Sequence, residues 1–83
     1  MRLNEFFADK YICFKNKLGA TVFWNENGLG YTGNIQEAGL FTDAEVNEKF
    51  RLNVLTSKEI ERGLHKRYTH FALKLSDAIK YFY

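Results

Sequence analysis

Residues 11–26 read YICFKNKLGATVFWNE, two runs rich in β-branched and aromatic residues joined by a link that contains a glycine. Such side chains suit the pleated, half-buried surface of a sheet, and a short link whose glycine tolerates positive φ is the signature of a hairpin. The expected strands run over 11–16 and 20–26. Beyond them, NENG at 25–28 turns the chain, because Asn and Gly accept left-handed conformations, and LGYT at 29–32 supplies a short third strand. The first half therefore reads as an antiparallel meander.

The second half opens with helix starts. FTDAEV at 41–46 and LTSKEI at 55–60 repeat one order: apolar, Thr, two residues, Glu, apolar. Thr42 and Thr56 are N-cap candidates with Glu45 and Glu59 three positions on, and Phe41 with Val46 and Leu55 with Ile60 stand at the spacing of hydrophobic staples. Gly63 is placed to close the second helix in a left-handed turn, with Leu64 folding back as its apolar companion. In THFALKLSDAIKYF, 69–82, Thr69, Phe71, Leu73 and Leu75 alternate with His70, Ala72 and Lys74, the pattern of a half-buried strand. Ser76 offers another N-cap, and Ala78, Ile79 and Phe82 form the apolar side of a last, short helix. LNEFF at 3–7 reads equally as a helical turn or an extended lead-in. The expected fold is α+β: a small antiparallel sheet of three to four strands with two or three short helices packed mainly on one face.

Residues 28–33, GLGYTG, match the letters of a dinucleotide-binding loop. That loop works only after a buried parallel strand and before a helix whose N-terminus faces the phosphates, with an acid about 20 positions later. Here the glycines follow an antiparallel hairpin, NIQEAG comes next, and Asn53 stands where the acid is wanted. Backbone turn geometry is the better reading, since Gly is the default where φ must be positive.

In the wider stretch 23–46, FWNENGLGYTGNIQEAGLFTDAEV, Trp24, the triplet Gly30-Tyr31-Thr32, Ile35, Ala38-Gly39, Phe41-Thr42 and Glu45 follow the order W-(x)5-G-Y-T-x-x-I-x-x-A-G-x-[FY]-[ST]-x-x-E. This resembles a pattern found in small proteins encoded by bacteriophages and prophages, a largely uncharacterised group, and covers about a quarter of the chain. The segment Met1 to Lys10 and the long connection RLNVLTSKEIERGLHKR at 51–67 depart from it. The resemblance implies a phage or prophage origin and an accessory role of the kind such proteins play when they bind and disable a host factor, anti-CRISPR proteins among them.

Bulk properties bound the alternatives. At 83 residues and 9.7 kDa the chain is one domain, since a chain of this size buries only roughly 60 to 65% of the surface its unfolded form exposes. Hydrophobic residues make up 46%, including 8 Phe, 5 Tyr and 1 Trp, which argues for a core and against disorder. The single cysteine, Cys13, lies in the apolar run YICF and reads as a core residue in a reducing compartment. No apolar run approaches a membrane span, and acidic residues interrupt MRLNEFFADK where a signal peptide would be apolar. The formal charge is +2, but residues 1–50 hold 5 basic and 7 acidic side chains and residues 51–83 hold 7 and 3, which gives one mildly basic face.

His65 and His70, Cys13 and the dispersed carboxylates compose neither a metal-ligand set nor a catalytic trio, so no catalytic residue, metal or cofactor is expected and the protein is read as a non-enzyme. ERGLHKRYTH at 61–70 is the densest basic stretch. Arg62, Lys66 and Arg67, with Tyr68 and Tyr31, read as a solvated loop, a protein contact or a phosphate-binding, base-stacking surface. Trp24 and Phe23 point to opposite faces of their strand, so Trp24 is either core or, beside Tyr31, an interface anchor. The expected partner is a host protein or complex in the host bacterial cytoplasm, with a CRISPR-Cas-type defence component as the expected class. The alternative is a small nucleic-acid-binding regulator that uses the basic half. No membrane partner is expected, and a homodimer is compatible with either reading.

Overall fold

A computed structural model describes residues 10–26 and 29–82, with the side chain of Phe82 excepted. LNEFF and Gly28 lie outside the described residues. β1 (Lys10–Lys17) and β2 (Ala20–Trp24) form the expected hairpin. Its register pairs Phe14 with Phe23 and Lys17 with Ala20, which leaves Leu18 and Gly19 as the loop. Both have positive φ, 50° and 85°, as a two-residue turn with the twist of the flanking strands requires. β3 (Tyr31–Thr32) pairs antiparallel with β2 and completes the meander.

The sheet is larger than expected and mixed, not wholly antiparallel. Six strands take the order β3-β2-β1-β6-β5, with β4 (Phe41–Thr42) on the start of β1. β6 (His70–Lys74) is antiparallel to β1, while β5 (Asn53–Leu55) runs parallel to β6. A parallel pair needs a crossover, supplied here by α1 (Ser57–Glu61) and a 3-10 turn, Leu64–Arg67. The stretch read as a long connection thus contains a strand. Three residues are too short for alternation to register.

Both duplicated caps form. Thr56 accepts from the Glu59 amide while the Glu59 carboxylate accepts from the Thr56 amide at 3.0 Å. Thr42 and Glu45 repeat the exchange at 3.2 and 3.0 Å, ahead of a π-helical turn, Glu45–Lys49, which Arg51 follows with φ 54°. Gly63 closes α1 at φ 72°. The last helix, α2 (Leu75–Phe82), begins directly at the end of β6, so Ser76 lies inside its first turn and is not its cap. Ile79 is 46% exposed; the inward residues are Leu75 and Ala78, with Tyr81 packed beside them. Ser57 donates to Asp77 at 2.6 Å and Tyr81 to Glu61 at 2.5 Å, which ties α2 to α1.

The sheet is covered on both faces, and alternate residues of β1 divide between two cores. Ile12 and Phe14 join Phe23, Leu55, Ile60, Phe71, Leu73, Leu75 and Ala78 on the first face. Phe14 stacks on Phe71 with ring centroids 4.8 Å apart and meets the edge of Phe23 at 5.2 Å. Tyr11 and Cys13 join Phe41, Val46 and Ala72 on the second face. Ala72 is therefore buried, and the middle of β6, Phe71 to Leu73, is covered on both faces where a half-buried strand was expected, with His70 half-buried and Lys74 exposed at its ends.

Candidate partner-binding face

The loop after β2 shows what the glycines do. The Asn25 amide donates to the Gly30 carbonyl at 3.0 Å, and the Asn25 side chain reaches the carbonyls of Leu29 and Tyr31 at 3.3 and 3.4 Å. Gly30 has φ +84°, a left-handed position that closes this loop. Gly39 donates its amide to the Trp24 carbonyl at 2.9 Å, so close that a Cβ there would sit 2.8 Å from the Asn25 carbonyl oxygen. After Gly33 the chain makes a single 3-10 turn, Ile35–Glu37, capped by Asn34. The segment is built as turns between short antiparallel strands.

Most of the residues singled out in this stretch have a visible task in the fold. The Thr32 hydroxyl accepts from the Asn34 amide at 3.1 Å. Ile35 and Ala38 pack on the first core, and Phe41 is buried in the second. Thr42 and Glu45 cap each other. Tyr31 is the one side chain among them that the fold leaves exposed, at 44%.

Tyr31 pairs with Trp24 across β2 and β3, so both stand on the second face. Trp24 is half-buried against that core. Edge-on ring contacts join it to Phe50 at 5.1 Å, His70 at 5.8 Å, Phe41 at 6.1 Å and Tyr31 at 6.5 Å. Its indole N–H is enclosed without a hydrogen-bond acceptor among the described residues. Lys15, opposite His70 in the register, places Nζ 4.8 Å from the Tyr31 ring centroid, a cation-π geometry. The result is an exposed phenol ring on an aromatic base, with a lysine and a histidine beside it.

The basic residues named from the sequence lie elsewhere. Asn16 alternates with Lys15 on β1, toward the first face, and donates to the carbonyls of His65 and Tyr68 at 2.8 and 2.7 Å. Tyr68 packs on the first core, which withdraws its ring from a base-stacking role, while Arg62, Lys66 and Arg67 remain exposed. Trp24 and Tyr31 thus form one group and Arg62, Lys66, Arg67 and Tyr68 another. Lys15 and His70 were not singled out as contact residues. Lys15 reaches Tyr31 across the β1-β2-β3 meander, whereas the place of His70 against Trp24 depends on β6 pairing with β1, which has no local signal.

Titratable groups follow their surroundings. Burial, then the charge of Glu45, pushes the Cys13 thiol up to about 12, so the core cysteine stays protonated at neutral pH. His65 is held below the ordinary imidazole value by burial and by Lys66, with Nδ1 enclosed and its ring 5.9 Å from Phe71. His65 and His70 sit on opposite sides of the sheet. Among the described residues no group of three or more His, Cys, Asp or Glu is placed to hold a metal ion, and no helix is long and apolar enough to cross a membrane. No family model, curated protein or solved structure matches the chain.

Proposed function

We propose that this chain is a non-enzymatic binding protein, of the kind phages and prophages encode to occupy and block a host protein, and that it docks through the sheet face around Tyr31. The observation that carries the reading is the exposure of Tyr31 on a packed aromatic base with Lys15 over its ring. Interface energy concentrates in a few aromatic or arginine anchors held rigidly before binding, and an exposed tyrosine on a fixed aromatic base suits that role. Trp24 acts here as the support and Tyr31 as the contact. A bacterial defence component of the CRISPR-Cas type is the target class that the phage-like stretch favours.

The test is binding by the folded protein to proteins of a bacterial lysate, with Tyr31→Ala as the probe. The substitution removes an exposed ring and is expected to weaken capture by roughly 2 kcal/mol or more while leaving the fold intact. Nucleic-acid binding would show itself differently. Log affinity would then fall by roughly 0.7 to 0.9 per phosphate neutralised as log salt rises, and a combined Arg62, Lys66 and Arg67 replacement would flatten that slope.

A further inference from the structure

At the tip of the β1–β2 hairpin Leu18 is fully exposed, at 100%, and holds φ 50°. A left-handed backbone penalises a leucine, whereas Asn or Gly takes it readily. The turn needs that φ but not a leucine, and the side chain stands in water, so the fold accounts for the backbone here and not for the residue type. Leu18 does not stand alone. With Asn16, Gly19, Thr21 and Lys66 it lines one depression between the hairpin and the 3-10 turn. The floor is fixed: Thr21 donates to Asn16 Oδ1 at 2.7 Å, and the Asn16 amide holds the carbonyls of His65 and Tyr68. Among the described residues, the one charged residue that lines the depression is Lys66, with Arg67 next to it in the 3-10 turn, while Lys15 and Lys17 alternate with Asn16 onto the opposite face. The nearest acid in sequence, Glu61, accepts from Tyr81.

We propose that this depression is a second docking site, which takes an acidic, apolar peptide segment of a partner protein. An aliphatic side chain of the segment packs on Leu18, and a carboxylate pairs with Lys66, whose neighbour Arg67 adds positive charge and whose described lining partners bring no acid. Charge complementarity selects the occupant, since an apolar contact alone would accept any sequence. Asn16 and Thr21 point away from the face that carries Tyr31, so the two sites are separate.

The test uses the whole protein and short fluorescent peptides of alternating Glu-Leu, Glu-Ser or Lys-Leu, read by polarisation. The Glu-Leu peptide is expected to bind saturably and at least about tenfold tighter than the other two, a ratio worth about 1.4 kcal/mol. Leu18→Asn is expected to raise the melting temperature and weaken Glu-Leu binding about tenfold, Lys66→Glu to weaken it further, and Tyr31→Ala to leave it unchanged. Absence of saturable Glu-Leu binding overturns the proposal. So does equal affinity for Glu-Ser or Lys-Leu, equal loss in Tyr31→Ala, or indifference to Leu18→Asn in a variant that melts no lower than the parent. Tighter binding to oligothymidylate or to phosphatidylglycerol vesicles than to Glu-Leu also contradicts it, and assigns the basic tip to nucleic acid or lipid.

Discussion

Gly30 and Gly39 serve the fold by different means, and substitution separates them. At Gly39 a Cβ would meet the Asn25 carbonyl oxygen at 2.8 Å and the Glu26 Cα at 2.9 Å, both backbone atoms that have little room to yield. Gly39→Ala is therefore expected to destabilise the protein by about 1 to 3 kcal/mol, the range of overpacking. At Gly30 the penalty is positive φ alone, and Gly30→Ala is expected to lose about 1 kcal/mol. Gly33, with open space around it and no positive φ, is the neutral control. Thermal melts check the order, because 1 kcal/mol moves the midpoint by about 4 to 8 °C in a domain of this size. A Gly33→Ala loss equal to that of Gly39→Ala would contradict it. The same melts are expected to be unmoved by NAD or ATP, since a ligand of the folded form raises stability by mass action. The need for positive φ at Gly30 was legible in the sequence. The close approach at Gly39 was not, because it arises from Trp24 and Asn25 lying against a segment more than a dozen residues later.

Short elements here stand on their caps, and the capping boxes give a second set of expectations. Thr56→Ala removes the acceptor for the Glu59 amide and Thr42→Ala that for the Glu45 amide. Each is expected to cost on the order of 1 kcal/mol, read by denaturant melts. Neutral behaviour of both would mean that the caps do not hold these turns. Glu45 adds a pH dependence. Its carboxyl is held below the ordinary value chiefly by the Thr42 amide, then by the Thr42 hydroxyl, Lys49 and Lys10. Because the folded value lies below the unfolded one, the contribution is full above about pH 4.3 and is lost as pH falls through the folded value. Glu45→Gln is expected to flatten the acid side of a stability-pH curve, and an unchanged acid limb would contradict this. These elements were legible because Thr-x-x-Glu between apolar residues is a local code. β4 and β5 were not, since two or three residues carry no period and become strands only where β1 and β6 offer open edges. Ser76 misled for a related reason: β6 passes into α2 without the break that a cap would mark.

Across the whole molecule, the division of β1 into two faces decides which residues belong together. Trp24 and Tyr31 were legible as neighbours from their placement around one turn, but the separation of Arg62, Lys66, Arg67 and Tyr68 from them follows from long-range pairing, and so does the arrival of His70. Position within the second core sets the roles of the two aromatics. Trp24→Ala removes a ring packed on Phe50, Phe41 and His70 and is expected to destabilise by about 3 to 5 kcal/mol, so lost binding in that variant reports folding. Tyr31→Ala is expected to move the melting midpoint little, and this makes it the clean probe. The most direct measurement is therefore affinity capture from nuclease-treated bacterial lysate by the parent protein and by Tyr31→Ala, with both shown folded by thermal melts. The parent is expected to retain a discrete protein after nuclease, and Tyr31→Ala to lose it. Recovery of nucleic acid alone, abolished by nuclease and by replacing Arg62, Lys66 and Arg67 but indifferent to Tyr31→Ala, would contradict it.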